Sequence, residues 1–346
     1  MQLERSVLLK VSRDALWPLV SDTERLNREI GLPAVKYEHQ PLPGGGTQTK
    51  AGMTKFTMDI AWQEYPFEWS APFFYVVERA FSSGPLKHFK GGTELFDKNG
   101  QTEVRIWAEA EASNLFTRLL AKKAMEDGIK ATVDVFQRYE AFLLRKGQRV
   151  TTRRLVTANN EPVLLEGKKR LTEAGHAPAL VEKLVDHLRS APEEDVRLMK
   201  PYALADRWQE DRRLTLEMFL DAARAGLVEL RWTIVCPACH GAKIDSNHLH
   251  TVRREGSCDS CSISFDNEFD KTVEARFDVH PAIRTPGRDK YCAGGPGNTP
   301  HVRAQFRLAP GSERSVQIRL NSGTYSLRSP MVKSRAEIQI GANHPA

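Results

Sequence analysis

The chain lacks any apolar run near the roughly 20 residues that span a bilayer; stretches such as Ala71 to Val77 stop far short. A transmembrane helix is thereby excluded. The opening MQLERSVLLKVSRDALW has no uninterrupted apolar core, because Glu4, Arg5 and Lys10 break it, so it is not a signal peptide. No internal repeat or low-complexity tract occurs, which excludes solenoids and fibrous arrays. Cysteine is scarce, at five in 346 residues. With nothing to export or anchor the chain, those thiols are expected in a reducing cytoplasm. Charge of one sign is also missing. Fifty basic residues are interspersed with 44 acidic ones for a net +6, which permits an anionic partner without requiring one.

What is present is ordinary globular composition, 40% hydrophobic and 27% charged, at a length that suggests two or three domains. Residues 2–11 alternate as a strand, and Ser12 offers an N-cap to a helix through Ala15, Leu16 and Leu19. A second short helix through Arg25, Leu26 and Ile30 stops at Gly31, ahead of Pro33. From Val35 to about Ala112 the period becomes two, in runs separated by Gly, Pro and the Asn99-Gly100 turn. A long helix is expected from Asn114, with Phe116, Leu120, Met125, Ile129, Val133, Phe136 and Leu143 as its apolar stripe. A curved sheet of this kind buries its concave face by gripping the final helix. The element order over residues 1–146, opening SVLLKVSRDALWPLVSDTERLNREIGLP, resembles the START-like helix-grip (SRPBCC) superfamily. That resemblance implies a cavity for an apolar small molecule or lipid, which Trp62, Trp69, Phe74, Phe81 and Trp107, with Phe67 and Tyr75, could line. The same aromatics would equally serve as core.

Residues 147–167 are polar, partly basic and without period at their start, and read as a linker. The block 168–230 is helical, with stripes at Leu180, Leu184 and Leu188, at Leu204 and Trp208, and at Leu214, Met218 and Phe219. Asp211 can cap its last helix, Gly226 can end it, and a strand VELRWTIV follows. Two helices followed by a strand look like half a winged helix. Residues 231–270 hold the cysteine motif, and 271–346 read as a small antiparallel β-domain of short alternating runs. The expected class is α+β and multidomain.

The sharpest motif is the double Cys-x-x-Cys of Cys236, Cys239, Cys258 and Cys261, with 18 residues between the pairs. That is the spacing of a four-cysteine zinc site. Each Cys-x-x-Cys turn presents two thiolates to one ion, and the second turn closes the tetrahedron. Four protein ligands leave no open position, so a structural Zn²⁺ is expected, in a fold resembling a zinc ribbon. A redox pair would instead sit at a strand-to-helix junction. His240, His248 and His250 lie near enough in sequence to substitute for a ligand. Cys292, with His301 nearby, stands apart as a single thiol.

A second resemblance covers roughly 168–330. It rests on YALADRWQEDRRLTLEMFLDAARAGLVELRWTIVCPACHGAK, CDSCSISFDNEFDKTVEARF and YCAGGPGNTPHVRAQ. These look like an uncharacterised family commonly found upstream of bacterial class III adenylate/guanylate cyclase domains. The resemblance implies a regulatory or sensory module. Cyclase chemistry is not expected, since no βαββαβ unit with paired metal-binding aspartates is present; a stand-alone relative and a fragment both remain open. A protein partner is favoured. Nucleic-acid binding through the helical block is the alternative, though Arg212, Arg213 and Arg224 share their helix with Glu217 and Asp221. A helix-grip enzyme is the third reading, but His39, His88, Glu64, Glu109 and Glu111 have no diagnostic spacing.

Overall fold

The computed structural model describes the chain apart from residues 42–46, 56–57, 146–159, 253, 259, 262, 267, 288, 293, 330–333 and 342–346. Strand β1 (Gln2–Leu9) leads into α1 (Arg13–Val20) and α2 (Thr23–Glu29), capped by Ser12 and Asp22. Seven strands follow: β2 (Lys36–Pro41), β3 (Thr47–Lys55), β4 (Met58–Glu64), β5 (Glu68–Ser70), β6 (Phe74–Ser83), β7 (Leu86–Lys98) and β8 (Gln101–Ala112). They pair antiparallel in the order β1-β8-β7-β6-β4-β3-β2, with β5 on β6. Helix α3 (Leu115–Leu144) then lies along β1, β7 and β8. Its start is fixed by a capping box in which Asn114 and Thr117 satisfy each other's backbone N–H groups.

Period two sets the faces of the sheet. Val104, Ile106, Ala108 and Ala110 of β8 turn inward onto Met125, Ile129, Val133 and Phe136 of α3. The helix-grip expectation for this region agrees with that arrangement. One detail differs. The buried stripe of α3 runs through Ala121, Met125, Ile129, Thr132, Phe136 and Tyr139, whereas Phe116 and Leu120 are exposed. The first turns of α3 place their apolar residues on the side away from the sheet.

The helical block begins earlier than expected. Asn160 caps α4 (Glu161–Glu173), and Pro162 sits in its first turn, where a missing N–H costs nothing. The rest of the expected linker lies outside the described residues. Helices α5 (Pro178–Ser190), α6 (Pro201–Trp208) and α7 (Arg212–Arg224) follow, then β9 (Val228–Val235). The chain next makes two hairpin excursions through β10 (Ala242–Ser246), β11 (Glu255–Cys258) and β12 (Ile263–Asp266). It returns through a single turn, α8 (Phe269–Thr272), as β13 (Val273–Val279), which pairs with β9. Met199, just before α6, bridges to Phe277 on the other side of β13.

The expected boundaries at 230 and 270 are therefore corrected. Strand β13 completes the sheet that the helices cover, because Phe277 and Val279 belong to the same core as Leu184, Leu188 and Phe219. The Phe219 and Phe277 rings sit 5.1 Å apart. The expected C-terminal β-domain is corrected as well, since its strands go to three places. Besides β13, β14 (Ala304–Gln305) extends the N-terminal sheet on β5, and β15 (Gly323–Ser329) pairs, among the described residues, only with β16 (Ser334–Ile340). Residues 314–321, within that expected β-domain, form no strand. Among the described residues no helix is long and apolar enough to cross a membrane.

Candidate metal centre

The two Cys-x-x-Cys turns sit at matching places. Cys236 and Cys239 lie in the turn joining β9 to β10; Cys258 is the last residue of β11, and Cys261 lies in the turn that joins β11 to β12. The first turn closes through Cys236 N–H to the Gly241 carbonyl at 3.0 Å and His240 N–H to the Cys236 carbonyl at 2.8 Å. His240 takes a left-handed φ of 52° to make this tight reversal. In the second, Cys261 N–H points at the Cys258 sulfur, 3.4 Å away.

All four sulfurs lie within 4.8 Å of one another, with Cys239 and Cys258 3.6 Å apart. A tetrahedral ion with metal–sulfur bonds of about 2.3 Å requires sulfur separations of roughly 3.8 Å. A disulfide needs about 2.05 Å, and all five cysteines are free. Three of the four are buried. Hydrogen bonding within the cluster, from Cys239 foremost for Cys236 and from Cys236 foremost for Cys261, pushes both thiols upward, and burial adds to it. Four crowded thiols of this kind ionise only against a cation, so the donor set fits a thiophilic divalent metal such as zinc. His240, His248 and His250 fall outside the ligand group; the last two stack on each other at 5.5 Å in an exposed turn.

The centre is fastened to the N-terminal sheet by a strap, residues 290–307. Gln305 donates from Nε2 both to the Ser260 carbonyl at 2.8 Å and to the Phe67 carbonyl at 2.9 Å, so one amide joins the second cysteine turn to the edge of the sheet. Along the strap, Val35 N–H donates to the Lys290 carbonyl at 2.7 Å, and Asn27 donates to the Tyr291 carbonyl at 2.8 Å. The Glu24 carboxylate accepts from Tyr291 N–H at 3.0 Å and Cys292 N–H at 2.5 Å. Burial pushes the Glu24 carboxyl above its ordinary value, against these two N–H groups, which favour its charged form. Trp69 Nε1 donates to the Val302 carbonyl at 3.0 Å, and Ala71 N–H to that of Arg303 at 2.8 Å. From the far end of the chain, the Arg328 guanidinium donates to the carbonyls of Pro237 and Ala238 in the first cysteine turn.

Cys292, on the strap, is buried among Phe67, Trp69, Ala71 and Tyr75, and it accepts a hydrogen bond from Thr23 at 3.1 Å. Burial raises its thiol. His301 instead stands 6.0 Å from the His240 ring.

Two of the five aromatics expected to line the cavity face the other way. Trp107 alternates with the inward Ile106 and Ala108, and its indole donates to Glu94 at 3.2 Å on the outer face. Phe74, next to the inward Tyr75, packs against Phe306 of the strap. Trp62 and Phe81 are register partners on the concave side with centroids 5.8 Å apart, and Trp69 joins Tyr75 there. Beside them lies a polar group absent from the expectation as a unit. Glu64 accepts from Trp62 Nε1 at 2.5 Å and from Arg79 Nε at 3.1 Å. A separate cleft of about 520 Å³ opens between Arg25 and Phe142 on one side and Lys183, His187 and Trp208 on the other.

Residues 167–290 match a family described as "Family of unknown function (DUF5939)". No curated protein matches the chain. Among solved structures, an aromatase/cyclase, Zhui, from Streptomyces sp. R1128 is similar at 12% identity, over 40% of this chain and 94% of its own, with a TM-score of 0.31. A protein from Thermus thermophilus is similar at 12% identity, over 41% and 97%, with a TM-score of 0.28. A Mycobacterium smegmatis protein is similar at 14%, over 43% and 92%, again at 0.28.

Proposed function

We propose that this chain is a non-catalytic regulatory or scaffolding protein, in which a START-like domain and a winged-helix block are held together through a structural zinc ribbon. The observation that carries this reading is the strap: one stretch of chain packs into the START-like domain and ends, through Gln305, on the cysteine turn. The winged-helix reading is supported by the order of helix, bridging Met199, two helices, β9 and returning β13. The cysteine hairpins then take the place of the wing. The zinc-ribbon reading is supported by two hairpins that each carry one Cys-x-x-Cys turn. Zinc bound there supplies cross-linking of the two turns, and the chain's residues do the rest by packing.

A regulatory role is favoured over catalysis because Glu64 is already engaged by Trp62 and Arg79, and Cys292 is buried by the chain itself. Trp62 and Phe81 remain the side chains toward which an apolar ligand would be directed. A protein partner is favoured over nucleic acid by the surface of α7. Arg212, Arg213 and Arg224 pair with Asp206, Glu217 and Asp221, while Leu214 and Leu220 are exposed between them. A helix that reads DNA presents free cations and amides instead. The resemblance to cyclase-associated domains makes a cyclase catalytic domain the first partner to test. Native mass spectrometry of the purified protein tests the reading: about one zinc per chain and a bound apolar molecule support it. Salt-dependent retardation of DNA would transfer the assignment to nucleic-acid binding.

A further inference from the structure

We infer that the exposed apolar face at the start of α3 docks this protein onto the surface of an anionic lipid bilayer. Leu115, Phe116, Leu119 and Leu120 are 84%, 79%, 75% and 53% exposed, the first three being the most exposed large apolar residues described. At about 100° per residue they fall on one arc of roughly 140°, directly opposite the buried Ala121, Met125 and Tyr139. The face therefore belongs to no core formed by the described residues. Four contiguous large side chains on one arc form a ridge, unlike the scattered single apolar residues that ordinary surfaces carry.

Its surroundings select the occupant. Arg118 and Lys122 border the arc and Lys123 continues it, all exposed. Arg118 and Lys123 make no ion pair among the described residues, and Lys122 has only an exposed contact to Glu126 at 3.8 Å, worth little in water. An apolar ridge rimmed by long cations is the pattern of an interfacial helix, whose apolar side enters the acyl boundary while its cations reach lipid phosphates. The ridge also stands at one end of the domain. Ser113 donates to the Gly84 carbonyl at 3.0 Å, and Ser83 to that of Asp59 at 3.1 Å. These bonds gather the start of α3, the β6–β7 turn and the start of β4, with its exposed Met58, at the same end. A second copy fits less well, because a two-fold contact sets a patch against itself and would bring these cations together.

The test is sedimentation of the full chain with phosphatidylcholine vesicles containing about 30% phosphatidylglycerol, beside vesicles of phosphatidylcholine alone. Binding is expected to the anionic vesicles only. It should weaken at least about tenfold in the variant carrying Leu115→Ser and Phe116→Ser, and comparably in about 0.5 M salt. Both side chains are exposed, so the variant should keep its near-ultraviolet circular dichroism; Lys122→Glu with Lys123→Glu is a second variant that leaves the apolar ridge intact and should also lose binding. Absence of binding to anionic vesicles would overturn the inference. So would binding that neither variant weakens, or a dimer in sedimentation equilibrium that Phe116→Ser dissociates, which would assign the face to a second copy. Metal content plays no part in these readouts, so the inference stands or falls apart from the zinc reading.

Discussion

Gly295→Ala should release the strap from the N-terminal domain. A Cβ at position 295 would sit 1.8 Å from Thr23 Oγ1 and 2.9 and 3.0 Å from that residue's Cβ and Cγ2. Thr23 cannot simply turn away, because its hydroxyl donates to the Cys292 sulfur at 3.1 Å. Rotating it forfeits that bond, at about 0.5–1.5 kcal/mol. Moving the strap instead strains the contacts of Glu24 with Tyr291 and Cys292. Overpacking of this kind costs about 1–3 kcal/mol, so the combined effect is about 2–4 kcal/mol on strap closure. Amide hydrogen exchange reads it directly: Cys292 and Gly297 N–H protection should fall by roughly 30- to 1,000-fold at about 1.4 kcal/mol per decade, while the core of α5 and α7 keeps its protection. Thr23→Ala removes Oγ1 and Cγ2, so the double variant should lose less than the two single changes combined. Unchanged strap protection in Gly295→Ala would refute the reasoning, because the clash would then have been absorbed without opening.

Three further outcomes follow from the geometry. Asp278→Ala should cost about 1–3 kcal/mol in urea denaturation, since buried Arg231 keeps Glu229 at 2.9 Å but loses Asp278 at 3.0 Å, and Leu198 N–H loses its acceptor at 2.7 Å; Asp278→Asn should cost less. His187 is half-buried and its Nε2 faces the Asp195 carbonyl at 3.0 Å, and desolvation foremost holds its pKa below 6.5. Its contribution to stability is therefore present above 6.5 and lost as pH falls through the lowered value, so melting temperature should drop on mild acidification, and less in His187→Gln. Gln305→Ala should uncouple the two halves: chelator treatment that raises exchange at both Cys261 and Ala71 N–H in the native chain should affect only the cysteine turn in the variant.

The sequence disclosed most where local rules act alone. Strict alternation in β8 shows its strand, and the paired Cys-x-x-Cys turns are self-contained, because each needs only its own hairpin. The inward or outward phase of single aromatics was harder to read. Trp107 and Ile106 are both apolar neighbours on one strand, and only the helix that covers Ile106 distinguishes them. The stripe of α3 misled in the same way, since Phe116 and Leu120 have the helical spacing of core residues yet lie on the opposite side. The strap was illegible because most of its bonds to the N-terminal domain join residues more than 200 positions apart, such as the Trp69 indole with the Val302 carbonyl. Its trace in the sequence is the Gly294-Gly295-Pro296-Gly297 run. Gly297, whose Cβ would meet the Asp22 backbone at 2.8 Å, shows what those glycines permit. Strand β13 was assigned to the wrong unit because sequence adjacency to the cysteines outweighed its apolar face, and that face matches α7.

The central claim is that Cys236, Cys239, Cys258 and Cys261 hold one closed structural metal. Elemental analysis of protein purified without chelator tests it most directly. The account predicts about one zinc per chain, lost together with cooperative unfolding of the cysteine hairpins in the Cys236→Ser, Cys258→Ser variant. Protein that contains no metal, yet keeps the four thiols unreactive and the hairpins protected from exchange, would contradict it.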